Sequence, residues 1–128
     1  MIDHLDHLVL TTRDEAACVR FYCEVLGMRL DTFGTGRKAF VFGAQKINLH
    51  IAGHEFEPKA QHPTPGALDL CFIASIPVEH LVQRLTEVGI TIECGPVPRT
   101  GAQGPIRSVY VRDPDLNLIE ISEYLPQS

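Results

Sequence analysis

The order of apolar and turn segments in the first half of the chain recurs in the second half, and this repeat limits the fold more than any other feature. Residues 5–10 read Leu-Asp-His-Leu-Val-Leu, a strand-forming run. Asp14 then stands where a helix N-cap is favoured. Val19, Phe21, Tyr22, Val25 and Leu26 follow at near-helical spacing up to a stop at Gly27. Three short strand candidates come next, Met28–Phe33, Lys38–Phe42 and Lys46–Ile51, broken by Gly34, Gly36 and Gly43. In the second half Leu68–Ile73 is an apolar strand, and Pro77 opens a helix carrying Val78, Leu81, Val82 and Leu85. Gly89 echoes Gly27, and Ile90–Cys94, Ile106–Arg112 and Leu118–Tyr124 supply three more strands.

The spacing therefore predicts an α+β fold, βαβββ twice, as modules 1–56 and 66–124 of one domain over 1–128. Residues 54–66 carry three prolines and read as the linker. One helix cannot cover both faces of a four-stranded sheet. Two such modules, within a chain or across a dimer, close a curved, eight-stranded, partly open barrel with an interior. An α+β sandwich with the same elements and no interior site fits the periodicity equally well.

Composition removes several function classes. The net charge of −5 gives no basic footprint for nucleic acid. No apolar run approaches the ~20 residues of a membrane helix, and no segment resembles a signal peptide, so a soluble cytoplasmic protein is expected. The four cysteines, Cys18, Cys23, Cys71 and Cys94, show no CxxC spacing and read as reduced thiols, mostly buried. The chain has no GxGxxG, Walker, GxSxG or HExxH motif, which argues against nucleotide-dependent and serine-hydrolase chemistry.

Strand alternation places Leu5, His7 and Val9 on one face, Asp69, Cys71 and Ile73 on another, and Leu118, Glu120 and Ser122 on a third. The opposite faces are more apolar and suit a helix-packed core. Carboxylates in apolar strands need a partner, and a divalent metal can pair one histidine with two carboxylates. His7, Asp69 and Glu120 are the candidate ligands for one zinc, nickel, manganese or iron ion. His50, on a face with Asn48, is a further candidate ligand, with a solvent-facing polar pair as the equal alternative. Asp113-Pro114-Asp115-Leu116-Asn117 reads as a turn that sets the Glu120 strand antiparallel to the one bearing Ser108 and Tyr110. Those two hydroxyls are candidate substrate contacts. Gly95–Gly104, with two prolines and Arg99, reads either as a floppy loop with a solvent-exposed arginine or as a mobile lid whose arginine meets an anionic substrate.

Two stretches carry a family likeness. Leu5-Asp6-His7-Leu8-Val9-Leu10 with Phe21-Tyr22-Cys23-Glu24-Val25-Leu26-Gly27-Met28 resembles the opening of the vicinal oxygen chelate superfamily. That group holds glyoxalase I, bleomycin- and fosfomycin-resistance proteins and extradiol dioxygenases. The run from Tyr110 through Asp113-Pro114-Asp115 to Glu120 and Ile121 is similar to its closing strand pair. The resemblance implies metal ligands at His7, at Asp69 (where histidine is common), near Asn48 or His50 (where glyoxalase I has glutamate), and at Glu120. It implies substrate contacts at Ser108 and Tyr110, a homodimer, and a small-molecule substrate. The expected function is a glyoxalase-like, metal-dependent lyase or isomerase acting on adjacent oxygens, with Glu120 as the catalytic base. A metal-free sequestering dimer of the bleomycin-resistance kind is the alternative, and a fosfomycin-type thiol transferase ranks third.

Overall fold

The computed structural model describes residues 1–126, and the chain divides into two compact units. Unit 1 comprises residues 1–68 with 114–116, and unit 2 comprises 69–113 with the chain from 117 onward. The stretch expected to be a linker thus belongs to the first unit.

In unit 1, β1 (His7–Thr12) leads into α1 (Glu15–Val19), which continues as a π-helical segment, Arg20–Val25. Three strands follow: β2 (Arg29–Phe33), β3 (Arg37–Phe42) and β4 (Gln45–Ile51). The sheet order is β1-β4-β3-β2, with β1 parallel to β4 and the other pairs antiparallel. Asp14 caps α1 as its residue type favours, accepting from the Ala17 amide at 3.0 Å. Asp14→Ala is expected to cost unit 1 about 1 kcal/mol, seen as a lower urea midpoint. One face of the sheet, with Leu10, Phe40, Ile47 and Leu49, packs on Cys18, Phe21 and Tyr22 of the helical segment, and all of these are buried. The Tyr22 ring stacks on Phe40 at 5.1 Å and meets Phe21 edge-on at 5.0 Å.

Unit 2 repeats the plan: β5 (Asp69–Ile73), α2 (Val78–Glu87), β6 (Cys94–Gly101), β7 (Gly104–Arg112) and β8 (Leu118–Tyr124). Its sheet order is β5-β8-β7-β6, with β5 parallel to β8. Val78, Leu81 and Leu85 of α2 are buried, as are Val109, Val111, Ile119 and Ile121 of the sheet. The paired βαβββ fold is the one the repeat predicts, and both helical segments stop before glycines of positive φ, Gly27 at 81° and Gly89 at 79°. Among the described residues no helix is long and apolar enough to cross a membrane.

Three expectations need correction. Ile90–Glu93 is not strand, and the supposed loop at 95–104 is largely β6, paired along β7 and followed by a tight turn. Prolines read as loop, but an outer strand tolerates them because only one of its sides bonds the sheet. The register shifts between Cys94 and Val97, which accommodates Pro96. The cysteines are free, yet only Cys18 is buried, while Cys71 and Cys94 are exposed. Both lie on the polar side of the second sheet rather than against α2.

Candidate functional site

Register sets the polar face of unit 2. Cys94 pairs with Tyr110, Tyr110 with Glu120, and Glu120 with Cys71, so these four form one row across the sheet. The next row places Ser108 opposite Ser122. Ser108 and Ser122 are fully buried, and their hydroxyls lie 2.6 Å apart. Ser108 Oγ donates to Glu120 Oε2 at 2.7 Å, and the Cys71 thiol lies 3.4 Å from Ser122 Oγ. With Ser108 donating to the carboxylate, Ser122 donates to Ser108 and the thiol to Ser122. This chain of donors is polarised toward Glu120 Oε2, and each bond strengthens the next. Glu120 is half-buried and retains its second oxygen for a ligand.

Although the residue is exposed at its outer edge, partial desolvation of its sulfur pushes the Cys71 thiol up, a Ser122 hydroxyl turned to donate toward the sulfur would oppose this, and the charges of Glu120 and Asp69 push it up further. Cys71 is therefore held as a neutral thiol, able to donate a hydrogen bond, and not as a thiolate nucleophile. Arg99, on β6, donates from Nε to the Tyr110 hydroxyl at 2.9 Å, with its guanidinium 5.4 Å from that ring. Three expected contacts, Ser108, Tyr110 and Arg99, thus share one face with Glu120. Asp69 lies on that face too, exposed at the start of β5, but its register partner is Leu118. Cys71 and not Asp69 sits beside Glu120. The Glu120 strand is set by its turn: Asp113 accepts from the Asn117 amide at 2.9 Å and from its side chain at 2.7 Å.

Unit 1 holds the remaining candidates. His7 is exposed at the start of β1, and its Nδ1 bonds Asp6 at 2.9 Å, leaving Nε2 as the open nitrogen. His50 pairs with Thr11 and Asn48 with Val9 across β4 and β1. His50 is 3% exposed, neither of its ring nitrogens has a partner, and neither does Asn48 Oδ1. Its ring meets Phe56 edge-on at 5.6 Å. Burial and the nearby Arg37 charge hold the imidazole below its usual pKa, against a smaller opposing effect of Glu55. A cavity of about 400 Å³ opens beside His50, walled by Val9, Thr11 and residues 58–68.

His7 belongs to unit 1 and Glu120 to unit 2. Among the described residues no group of three or more His, Cys, Asp or Glu side chains is arranged to hold a metal ion. Sequence reasoning placed Ser122 and Cys71 on the correct face without giving them a role, and the hydroxyl row was legible from the i, i+2 spacing of Ser122 and Glu120. It missed the cavity, because residues 58–68 have no periodicity to show which surface they cover.

Comparison with known proteins supports the architecture. Virulence protein STM3117 of Salmonella typhimurium is 58% identical over 125 residues, spanning 98% of this chain and 87% of the relative. Its crystal structure superimposes with a TM-score of 0.96, covering 98% of this chain and 99% of that one. Glyoxalase domain-containing protein RDO1 of Mycosarcoma maydis is 56% identical over 120 residues, 94% of this chain and 68% of the relative. A lactoylglutathione lyase from Agrobacterium tumefaciens, 24% identical, shares the fold with a TM-score of 0.73 over 96% of this chain and 95% of that one. Residues 4–121 match the Glyoxalase family, and the chain belongs to the Glyoxalase/Bleomycin resistance protein/Dioxygenase superfamily.

Proposed function

We propose that the protein acts on a small molecule bearing adjacent oxygens, in the manner of a glyoxalase-type lyase or isomerase, with Glu120 as proton acceptor. The observation that carries this reading is the Glu120 carboxylate held through Oε2 by the buried Ser108 hydroxyl. A carboxylate fixed on one oxygen and open on the other is oriented to take a proton from a bound carbon or hydroxyl acid. Tyr110, whose hydroxyl is held by Arg99, supplies a donor on the same face for a substrate oxygen. Arg99 itself attracts a substrate that carries negative charge.

A metal-dependent version is the second reading. The Asp6–His7 bond favours it, since a carboxylate on one ring nitrogen fixes the tautomer that ligates through the other. His7, Asp69 and Glu120, with His50 as a further candidate, would be its ligands, and a divalent ion would polarise the adjacent oxygens. The donors are of the right chemical type, but the described residues do not gather three of them.

The first test is turnover of the hemithioacetal of glutathione and methylglyoxal by wild type and Glu120→Gln. The variant is expected to lose about 10²–10⁴-fold in rate while its unfolding midpoint stays close to wild type. A Gln variant as active as wild type would overturn the role of Glu120. Elemental analysis of protein purified without added metal, beside His7→Ala and Glu120→Ala, separates the two readings. About one ion per chain in wild type, lost in both variants, selects the metal enzyme. Tight binding of the adduct without turnover selects sequestration, and sedimentation of the same samples reads the expected homodimer.

A further inference from the structure

We infer that Ser122 is a positioning residue for Glu120. Its buried hydroxyl fixes the direction in which Ser108 donates, so that Glu120 accepts through Oε2 and meets the substrate through its other oxygen. The inference rests on the reading of Glu120 as proton acceptor, and adds to it a residue that never touches the substrate.

The starting point is how loosely a glutamate is held by its own strand. Glu120 is only half-buried, and its long side chain keeps much of its rotamer freedom unless something ties it down. The tie is diagonal. Tyr110, and not Ser108, stands opposite Glu120 across β7 and β8, so Ser108 reaches the carboxylate from the neighbouring row. Diagonal neighbours lie about 7–8 Å apart at the backbone. The 2.7 Å bond therefore exists only while the carboxylate leans along the sheet and Ser108 keeps one rotamer.

Ser122 is what holds that rotamer. A hydroxyl has one proton to give, so a row of hydroxyls has a direction. Ser108 Oγ has Glu120 Oε2 at 2.7 Å and Ser122 Oγ at 2.6 Å. A carboxylate acting as proton acceptor has none to donate, so Ser108 gives its proton to Oε2 and takes one from Ser122. The Cys71 thiol, 3.4 Å from Ser122 Oγ, completes the supply from the far side. Ser108 and Ser122 are both 0% exposed, so bulk water does not stand in for either hydroxyl. Without the Ser122 hydroxyl, the Ser108 oxygen is left with an unmet lone pair in a buried place, and its side chain is free to turn. The carboxylate then loses its fixed angle. A misplaced base slows proton transfer without weakening substrate binding, because the lost contact is not one the substrate makes.

The test is a double-mutant cycle on the full chain, read by hemithioacetal turnover and by the ¹³C signal of the Glu120 carboxyl carbon, assigned through its loss in Glu120→Gln. Ser122→Ala is expected to lower kcat about tenfold and leave KM within about twofold. Ser122→Thr, which keeps the hydroxyl on a residue suited to strands, should retain most of the rate. Because Ser122 acts through Ser108, Ser108→Ala with Ser122→Ala should be no slower than Ser108→Ala alone. The Glu120 carboxyl signal should move in Ser122→Ala as it does in Ser108→Ala, and this arm needs no turnover. An unchanged kcat in Ser122→Ala overturns the inference, as do a loss confined to KM, single effects that multiply in the double variant, or a carboxyl signal that stays in place. So does Ser122→Thr if it is as slow as Ser122→Ala while its carboxyl signal sits at the wild-type position. Glu120→Gln as active as wild type ends both readings, since no proton acceptor is then left to position. Inactive Glu120→Gln beside fully active Ser122→Ala ends this one alone.

Discussion

Gly95→Ala is expected to destabilise unit 2 by about 3 kcal/mol or more and to impair the Glu120 site beyond that. At φ 103°, Gly95 occupies backbone space that side-chain-bearing residues rarely enter. A Cβ there would lie 2.3 Å from the Ser108 carbonyl oxygen and 3.0 Å from Val109 Cα. Both neighbours are backbone of β7, so neither can swing aside. Relief requires β6 to lift from β7, which moves Ser108 and with it the donor to Glu120 Oε2. Urea denaturation reads the first effect. Activity measured where the variant is fully folded reads the second. A midpoint shift worth less than about 0.5 kcal/mol would mean that the two strands do not approach as described.

Phe40→Ala is expected to cost unit 1 about 3–5 kcal/mol, a large share of the ~5–15 kcal/mol that holds a domain of this size together. Phe40 is fully buried and lies nearly parallel to Tyr22, with 18° between the ring planes. Removing it opens a void between β3 and the helical segment that Tyr22 cannot fill, because Phe21 holds it from the other side. Phe40→Leu should recover most of the loss, since it restores apolar volume without the stacking geometry. Equilibrium unfolding of the three proteins, with the denaturant slope compared, checks this. A loss below about 1 kcal/mol for the alanine variant would place the core elsewhere.

Periodicity carried most of the architecture. The alternation in 118–124 was clear because Ile119 and Ile121 are apolar on one side and Glu120 and Ser122 polar on the other. The helix at Asp14 was legible from its cap, and its π-helical continuation was not, because Phe21, Tyr22 and Val25 suit either winding. Two physical limits explain the rest. Register is not written in one strand: a shift of two residues decides whether Asp69 or Cys71 lies beside Glu120, and that choice depends on pairing between distant segments. Coverage is not written in a strand either. His50 read equally as a solvent-facing residue or a ligand until residues 58–68 were seen to wall its face. The prolines at 96 and 98 obscured β6 for the same reason that they are tolerated there.

Those two prolines also decide how the second sheet can meet other chains. A foreign strand aligning along β6 would find two residues with no N–H to offer, so the ladder it needs cannot form there. Growth of that sheet by strand addition is therefore blocked on one flank and left to β5, at the opposite edge, whose Ile73 is exposed. The protein resists stacking into open-ended fibres through unit 2, because such growth requires two receptive edges and this sheet has one.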